Sequence, residues 1–331
     1  MKRNGAGRRA IFSVGLLLAG AGACGSGGSG GVKPPIYTPV SATTDGSLYT
    51  LTLGDLKMVI DGVNGARVIE FSFRGTNVLV TQDENINFGS TYWPSPQSSW
   101  CTAGGGCWPP PAALDTGAYA GGVNATDNSI QLVSGQQTID GIPGSVIAVT
   151  KTFRPVPESG AIDINYKMGN ASASASVSLA PWQLSRVAAG GLTFFGNGGG
   201  PVTYAANTAS TFMVNEMGGD LWYASAPVTH DSKAFADSTG WLAQVTPDPL
   251  LYLIAYPDIQ PADAAPGEAE LELYTNSSYV ELEAQGAVQT LAPGSAMDWT
   301  VRWKLRPLPA GTTVAAGNAG LASLATTTLA E

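Results

Sequence analysis

The segment Tyr-Val-Glu-Leu-Glu-Ala-Gln-Gly at residues 279–286 alternates polar and apolar side chains. Strict alternation over four to eight residues is typical of a β-strand that buries one face. Its valine and leucine are predicted to point into a core, so Tyr279, Glu281 and Glu283 share the opposite face. The sequence therefore predicts a strand with two carboxyl groups on one side.

The segment that precedes this strand repeats the pattern. Residues 269–274 place leucines at 271 and 273, and Asn276-Ser277-Ser278 supplies a turn between the two segments. If they form a hairpin, Glu270 and Glu272 lie near the two glutamates of the second strand. Like charges at close range raise the pKa of at least one carboxyl group, which suits acid–base chemistry. The alternative is a solvated polar face without chemistry.

Similar patterns recur along the chain, between Gly, Pro, Asn and Asp residues. Residues 51–53, 68–73, 146–153, 162–168 and 250–256 alternate or form short apolar runs that favour strands. The one helix predicted is 314–329. We expect an all-β, antiparallel sandwich over residues 48–310 and a tail or short helix over 311–331.

Composition excludes several classes of enzyme. The 331 residues include one histidine, and 12% are charged, about half the usual share. Multi-histidine metal sites are excluded, a catalytic triad would have to use His230, and the common cofactor motifs are absent. We predict no cofactor and no metal. Because 25 acidic residues outnumber 16 basic ones, nucleic acid is not an expected partner.

The N-terminus predicts export. Residues 1–23 combine four basic residues with an apolar run too short to span a bilayer. Cys24 and a tether over residues 24–47, rich in Gly, Ser and Pro, follow. The arrangement resembles a bacterial lipoprotein, which implies lipidation of Cys24, a membrane anchor and a place in the cell envelope. Ordinary secretion is the alternative.

Residues 90–113 depart from the strand pattern because tryptophans and prolines crowd together there. Cys101 and Cys107 enclose five flexible residues, and in an oxidising compartment we expect them to form a disulfide. Two thiolates alone do not complete a zinc site. Trp93, Trp100 and Trp108 predict either a stacking surface or a small core that holds the loop down.

Several segments, taken in order, resemble the galactose-mutarotase-like superfamily. They are residues 65–73 leading to 77–79, then 87–97, and finally 279–286 followed by 291–294 and 299–305. Residues 180–186 and 240–242 resemble an uncharacterised branch of it. The resemblance covers about residues 48–308. It implies a β-supersandwich with a sugar site on a concave sheet.

The resemblance also implies roles for particular residues. In aldose 1-epimerases of this superfamily, a glutamate in a Leu-Glu-x-Gln setting is the general base, and Glu283 matches it. The family's histidine has no counterpart, because this chain reads Ala-Pro-Trp-Gln at 180–183. His230 and Lys233 are the candidates to replace it as the acid.

Further residues are predicted to bind a ligand. Trp182 and Arg186 are four positions apart, so in a strand they share a face on which a sugar could stack and form hydrogen bonds. The alternative is a buried tryptophan beside an arginine that neutralises a carboxylate. Gln183 could add amide hydrogen bonds, and Lys233 could meet a hydroxyl or an acidic sugar. By resemblance, the remaining candidates are Trp93, Gln97 and Arg67, the last with a structural role as the alternative.

Together these patterns predict a cell-envelope lipoprotein that binds a carbohydrate on the concave face of the sandwich. The first alternative is an aldose 1-epimerase, or a related sugar-modifying enzyme, that uses Glu283 as its base. The second is a structural envelope protein whose site is vestigial.

Overall fold

Alternating side chains give an almost entirely antiparallel β structure in the computed structural model, which describes residues 37–102, 104–225 and 228–331. The predicted all-β class is confirmed. The predicted signal peptide, Cys24 and most of the tether lie outside the described residues.

The described residues form 22 strands, two α-helices and two short 3-10 helices, Gln97–Trp100 and Pro261–Asp263. The elements in the first half of the chain are β1 (Val40–Asp45), β2 (Leu48–Leu53), β3 (Leu56–Asp61), β4 (Arg67–Phe73), β5 (Thr76–Asn77), β6 (Ser90–Ser95), α1 (Ala112–Asp115), β7 (Tyr119–Asn124), β8 (Ser129–Ser134), β9 (Ile147–Val156) and β10 (Ala161–Asn170). Those in the second half are β11 (Val177–Ala188), β12 (Leu192–Asn197), β13 (Thr203–Tyr204), β14 (Asn215–Met217), β15 (Asp220–Ala224), β16 (Ser232–Ala236), β17 (Ser238–Val245), β18 (Leu250–Ala255), β19 (Leu271–Thr275), β20 (Tyr279–Gln285), β21 (Gln289–Leu291), β22 (Ala296–Pro307) and α2 (Ala319–Ala330).

The strands form two sheets. The first has the order β1-β2-β3-β4-β6-β11-β20-β19-β16-β13, with β5 beside β4 and β21 beside β11. The second has the order β14-β15-β12-β17-β18-β22-β10-β9-β8-β7. The main hydrophobic core joins them: Phe71 of β4 packs 5.6 Å from Tyr252 of β18 and 5.3 Å from Trp303 of β22, measured between ring centroids.

Regular structure begins earlier than the predicted residue 48. Strand β1 starts at Val40 and pairs with β2 in the register Val40 with Leu53 and Asp45 with Leu48. Its side chains are mostly exposed, so it carries little of the apolar alternation on which the prediction relied. Gly46 closes the turn with a φ of 61°, a conformation that glycine adopts without strain.

The C-terminal segment is a helix, shorter than the predicted 314–329. Asn318 caps α2 by accepting a 2.8 Å hydrogen bond from the amide of Leu321, an arrangement that satisfies a helix-end donor. Leu321 and Ala325 are fully buried in a second hydrophobic cluster with Phe194 and Trp222. The helix therefore covers an apolar surface of the second sheet. Within the described residues, no helix has the length and apolar character needed to cross a membrane.

Four neighbouring strands of the first sheet bring distant residues together. Strands β19 and β20 form the predicted hairpin, and Glu272 lies directly opposite Glu283. Strand β11 pairs with the other edge of β20, and β16 pairs with the other edge of β19. Leu282 and its apolar neighbours face the core between the sheets, so the glutamates face away from the second sheet.

Candidate ligand-binding site

A cavity of about 600 Å³ lies over the glutamate-bearing face of these four strands. Aromatic, amide and charged side chains line it together. They are Asn87, Trp93, Gln97, Trp108, Trp182, Asn207, Asp231, Ser232, Lys233, Tyr274, Tyr279, Glu281 and Glu283, with Ala205 and Ala206. The volume lies within the range of about 300–1,000 Å³ typical of small-molecule sites.

Glu283 is fully buried at the base of this cavity. Its Oε2 accepts hydrogen bonds from the Trp182 indole Nε1 at 3.0 Å and from the Lys233 Nζ at 3.2 Å. Its Oε1 has no hydrogen-bond partner among the described residues. Burial raises the pKa of Glu283 well above its usual value, with the Lys233 charge opposing this and the Glu272 charge adding to it.

Lys233 lies between two carboxylates. Its Nζ is 2.5 Å from Oε2 of Glu272 and 3.2 Å from Oε2 of Glu283, and it lies 4.8 Å from the centroid of the Trp182 ring. Burial alone would lower the lysine pKa, but the two carboxylates outweigh burial and raise it above its usual value. Lys233 therefore retains its proton firmly and is a weak general acid.

Glu272 is held in place by neighbouring groups. Its Oε1 accepts hydrogen bonds from Gln285 Nε2 at 2.8 Å and from the amide of Ala269 at 3.0 Å. Nearby, Glu268 accepts a 2.8 Å hydrogen bond from the amide of Gln97. Burial, reinforced by the charge of Glu272, raises the pKa of Glu268 to about 7. A row of carboxyl groups thus runs from Glu283 at the cavity base through Glu272 to Glu268, which lines a neighbouring cavity.

Arg186 does not line the cavity, although it was predicted to bind the ligand. It shares a face with Trp182, as their spacing predicts, but it is almost fully buried. Its Nε donates to Oε1 of Glu281 at 2.7 Å, and its Nη1 donates to the carbonyl of Phe88 at 3.2 Å. Since Glu281 lies opposite Arg186 across the β11–β20 pairing, the guanidinium neutralises this carboxylate instead of reaching a ligand.

Gln183 and Arg67 do not reach the cavity either. Gln183 lies on the opposite face of β11 from Trp182, because neighbouring strand residues alternate, and it donates to Ser90 and Ser185. Arg67 forms a 3.0 Å ion pair with Asp115 and a 3.0 Å hydrogen bond to a backbone carbonyl. Both side chains are therefore held by polar contacts within the protein and lie outside the cavity lining.

His230 is exposed, and its Nδ1 lies 3.0 Å from the hydroxyl of Thr229. It is not among the residues that line the cavity. Its predicted role as the replacement acid therefore has no support in the geometry. Lys233, the other predicted candidate, lies directly beside Glu283.

The prediction of a loop over residues 90–113 was wrong for its first residues, because Ser90–Ser95 form strand β6 and pair with β11. This strand and the loop that follows it form both a small core and part of the cavity wall. Trp93 packs edge-on against Trp182 at 5.2 Å and against Trp100 and Trp108 at 5.6 Å, measured between ring centroids. Trp100 is buried, whereas Trp93, Trp108 and the predicted Gln97 line the cavity. The predicted disulfide joins Cys101 to Cys107.

Sequence reasoning missed some of the lining residues. Tyr274 has the same parity as Glu272 along β19 and lies opposite Glu281, so the alternation that identified the glutamates could have identified it. Asp231 precedes β16, and Asn207 lies in a loop far away in sequence. No periodic signal marks either residue.

Comparison with solved structures shows a shared fold at low sequence identity. A galactose mutarotase-like protein from Lactobacillus casei ATCC 334 superposes with a TM-score of 0.51 and 10% identity over 81% of this chain and 100% of its own. A galactose mutarotase-like protein from Clostridium acetobutylicum gives 0.50 and 9% over 81% and 98%. A TPR-domain containing protein from Parabacteroides distasonis ATCC 8503 gives 0.53 and 12% over 81% and 49%.

Sequence comparisons add no closer relative. No family model matches the chain, and no curated protein matches it. The likeness rests on the arrangement of strands in two antiparallel sheets, which the sequence resemblance had implied. The described part of the chain therefore has the galactose mutarotase-like β-sandwich fold.

Proposed function

We propose that this cavity binds an uncharged carbohydrate. The observation that carries the proposal is the free Oε1 of Glu283, a buried carboxylate oxygen at the cavity base without a partner among the described residues. A buried acceptor without a partner costs about 1–3 kcal/mol. A hydroxyl group of a bound sugar would donate to it and remove that cost.

The other lining groups suit the same ligand. Trp93 and Trp182 offer apolar ring surfaces for the C–H faces of a sugar, and amide groups at Asn87 and Gln97 both donate and accept hydrogen bonds. An aromatic surface with a few polar groups is the usual composition of a small-molecule site.

Charge argues against an acidic sugar. Lys233 is the one cationic side chain among the described residues that line the cavity, and two carboxylates already hold it. Asp231 and Glu283 also line the cavity, and Arg186 already pairs with Glu281, so a uronate carboxylate would meet like charges without a free cation among the described lining residues. The sequence-based expectation that Lys233 could bind an acidic sugar is therefore not retained.

Saturation-transfer NMR of the purified protein tests the proposal with glucose, galactose, glucuronate and galacturonate. We expect transfer to a neutral sugar and none to either uronate. Glu283→Gln preserves the side-chain shape but replaces an acceptor with a donor, so binding should weaken about tenfold, as for the loss of one hydrogen bond to a charged group. Absence of transfer to every sugar, or equal binding of uronates, would refute the proposal.

A second candidate is epimerase activity, supported by the position of Glu283 in its Leu-Glu-Ala-Gln setting and by its raised pKa. In such a reaction, Glu283 would take the proton of the anomeric hydroxyl while the bond from the anomeric carbon to the ring oxygen breaks. The ring oxygen must receive a proton, and Lys233 is the nearby cationic donor.

Binding without catalysis is the preferred proposal, because Lys233 retains its proton between two carboxylates. Recording anomer exchange in the same NMR samples separates the two candidates. Exchange that the protein accelerates and that Glu283→Gln abolishes would establish the epimerase. Unchanged exchange alongside saturation transfer would establish a binding protein.

We also propose that Cys24, outside the described residues, carries a lipid that anchors the protein in the cell envelope. The support is the basic and apolar leader before Cys24 and the tether after it. When the protein is expressed in a bacterium, it should fractionate with membranes, and Cys24→Ala should release it. Equal membrane association of both forms would overturn the proposal.

A further inference from the structure

Trp108 differs from the other tryptophans of the protein. All eight lie within the described residues, and seven of them are at most 8% exposed, whereas Trp108 is 56% exposed. It also lines the cavity. A large aromatic surface left in water at the edge of a cavity is typical of a binding surface rather than a packing residue.

Trp108 is exposed but held in position. One side of the indole packs edge-on against Trp93, at 5.6 Å between centroids and an interplanar angle of 84°. The preceding Cys107 is tied to Cys101 by the disulfide, and its carbonyl accepts a 3.2 Å hydrogen bond from Gln97 Nε2. A side chain that is already positioned loses less conformational entropy when a ligand stacks on it.

The aromatic rings continue outward from the cavity base. Trp182 contacts Glu283 through its indole nitrogen. Trp93 packs against Trp182, and Trp108 in turn packs against Trp93. The cavity volume of about 600 Å³ is in the range that holds drug-sized ligands, which are larger than one hexose. A sugar unit at Glu283 would therefore leave the space beside Trp108 unfilled.

We propose that Trp108 forms a second sugar-binding subsite, so that the ligand is a neutral oligosaccharide whose terminal unit reaches Glu283 and whose next unit stacks on Trp108. This inference rests on the proposed function, because it extends the same cavity. Covering about half of the exposed indole surface predicts a gain in affinity of about tenfold for the second unit.

Titration calorimetry with matched sugars tests the subsite: glucose against maltose and cellobiose, and galactose against lactose. The variants are Trp108→Ala, Trp108→Phe and the control Val63→Ala, since Val63 is equally exposed, at 57%, and does not line the cavity. We expect at least one disaccharide to bind about tenfold more tightly than its monosaccharide. Trp108→Ala should weaken disaccharide binding about tenfold more than monosaccharide binding. Trp108→Phe should keep most of the gain in affinity, and Val63→Ala should keep all of it.

The outcomes separate the subsite from the proposed function. If monosaccharides bind and no disaccharide binds more tightly, or if Trp108→Ala weakens both sugars equally, the subsite is refuted and the proposed function stands. If none of the sugars binds the wild-type protein, both are refuted. Thermal unfolding of each variant verifies that Trp108→Ala, a change at an exposed position, leaves the fold intact.

Discussion

Replacing Lys233 by methionine removes the ammonium group that lies between the carboxylates of Glu272 and Glu283. Both carboxylates are fully buried and face each other across the β19–β20 pairing. At an effective dielectric constant of about 20, the 3.2 Å separation from Glu283 corresponds to about 5 kcal/mol of attraction. Breaking a buried pair typically costs about 3–5 kcal/mol. We therefore expect Lys233→Met to lose about 3–5 kcal/mol of unfolding free energy at pH 7.

The loss should depend on pH with a defined sign. Burial raises the pKa of Glu283 and the Lys233 charge opposes this effect, so without the ammonium group the folded state binds more protons at Glu283 than the unfolded state. Such groups stabilise the protein below the unfolded pKa, and that stability is lost as pH rises through the folded pKa. The variant should lose up to about 1.4 kcal/mol per pH unit for each extra proton bound.

Urea denaturation at several pH values between 5 and 8 measures this dependence. The deficit of Lys233→Met relative to wild type should grow as pH rises. Adding Glu272→Gln to Lys233→Met removes one of the two charges without changing the side-chain shape, and it should restore about 2 kcal/mol. A variant as stable as wild type across this range, or a deficit that shrinks as pH rises, would refute the reasoning.

Three further predictions concern stability. Burial and the charge of Arg67 lower the pKa of Lys151 to about 7. Above pH 7 the folded state therefore binds fewer protons than the unfolded state, and the free energy of unfolding should rise from pH 7 to about pH 10. Lys151→Met should reduce this slope, measured by urea denaturation, and an unchanged slope would contradict the lowered pKa. Replacing Cys101 and Cys107 by serine should lower the free energy of unfolding by about 2 kcal/mol, because the disulfide no longer restricts a short loop in the unfolded chain. An unchanged melting temperature would contradict this prediction. Leu321→Ala should lower the free energy of unfolding by about 3 kcal/mol, because this side chain of α2 is fully buried against the second sheet. A loss under 1 kcal/mol, measured by urea denaturation, would show that the helix packs loosely.

Much of the fold was predictable because alternation is a local property. The apolar positions of β4, β10, β18 and β20 appear directly in the sequence. Strand β1 was missed because it is an edge strand with mostly exposed side chains, so its sequence lacks an apolar face. The order of the strands within each sheet depends on pairings between distant segments, which composition and periodicity do not encode.

The candidate site was predictable only in part, for the same reason. Alternation placed Glu281 and Glu283 on one face, and the same rule could have excluded Gln183, which adjoins Trp182. Which cationic side chain pairs with which glutamate depends on the register of the neighbouring strands. Arg186 lies opposite Glu281 because of the β11–β20 pairing, while the β16–β19 pairing brings Lys233 alongside.

Three indoles that line the cavity, together with the buried Trp100 beside them, also give the protein an optical signature of its own. Trp93, Trp100, Trp108 and Trp182 lie in contacts with ring centroids 5.2–5.8 Å apart, close enough for their electronic transitions to couple. The near-ultraviolet circular dichroism should therefore contain bands that arise from this cluster. Any molecule that contacts Trp108 would change the spectrum without a label. Because Trp93 and Trp182 lie in strands β6 and β11, their contribution would persist as long as the first sheet remains folded.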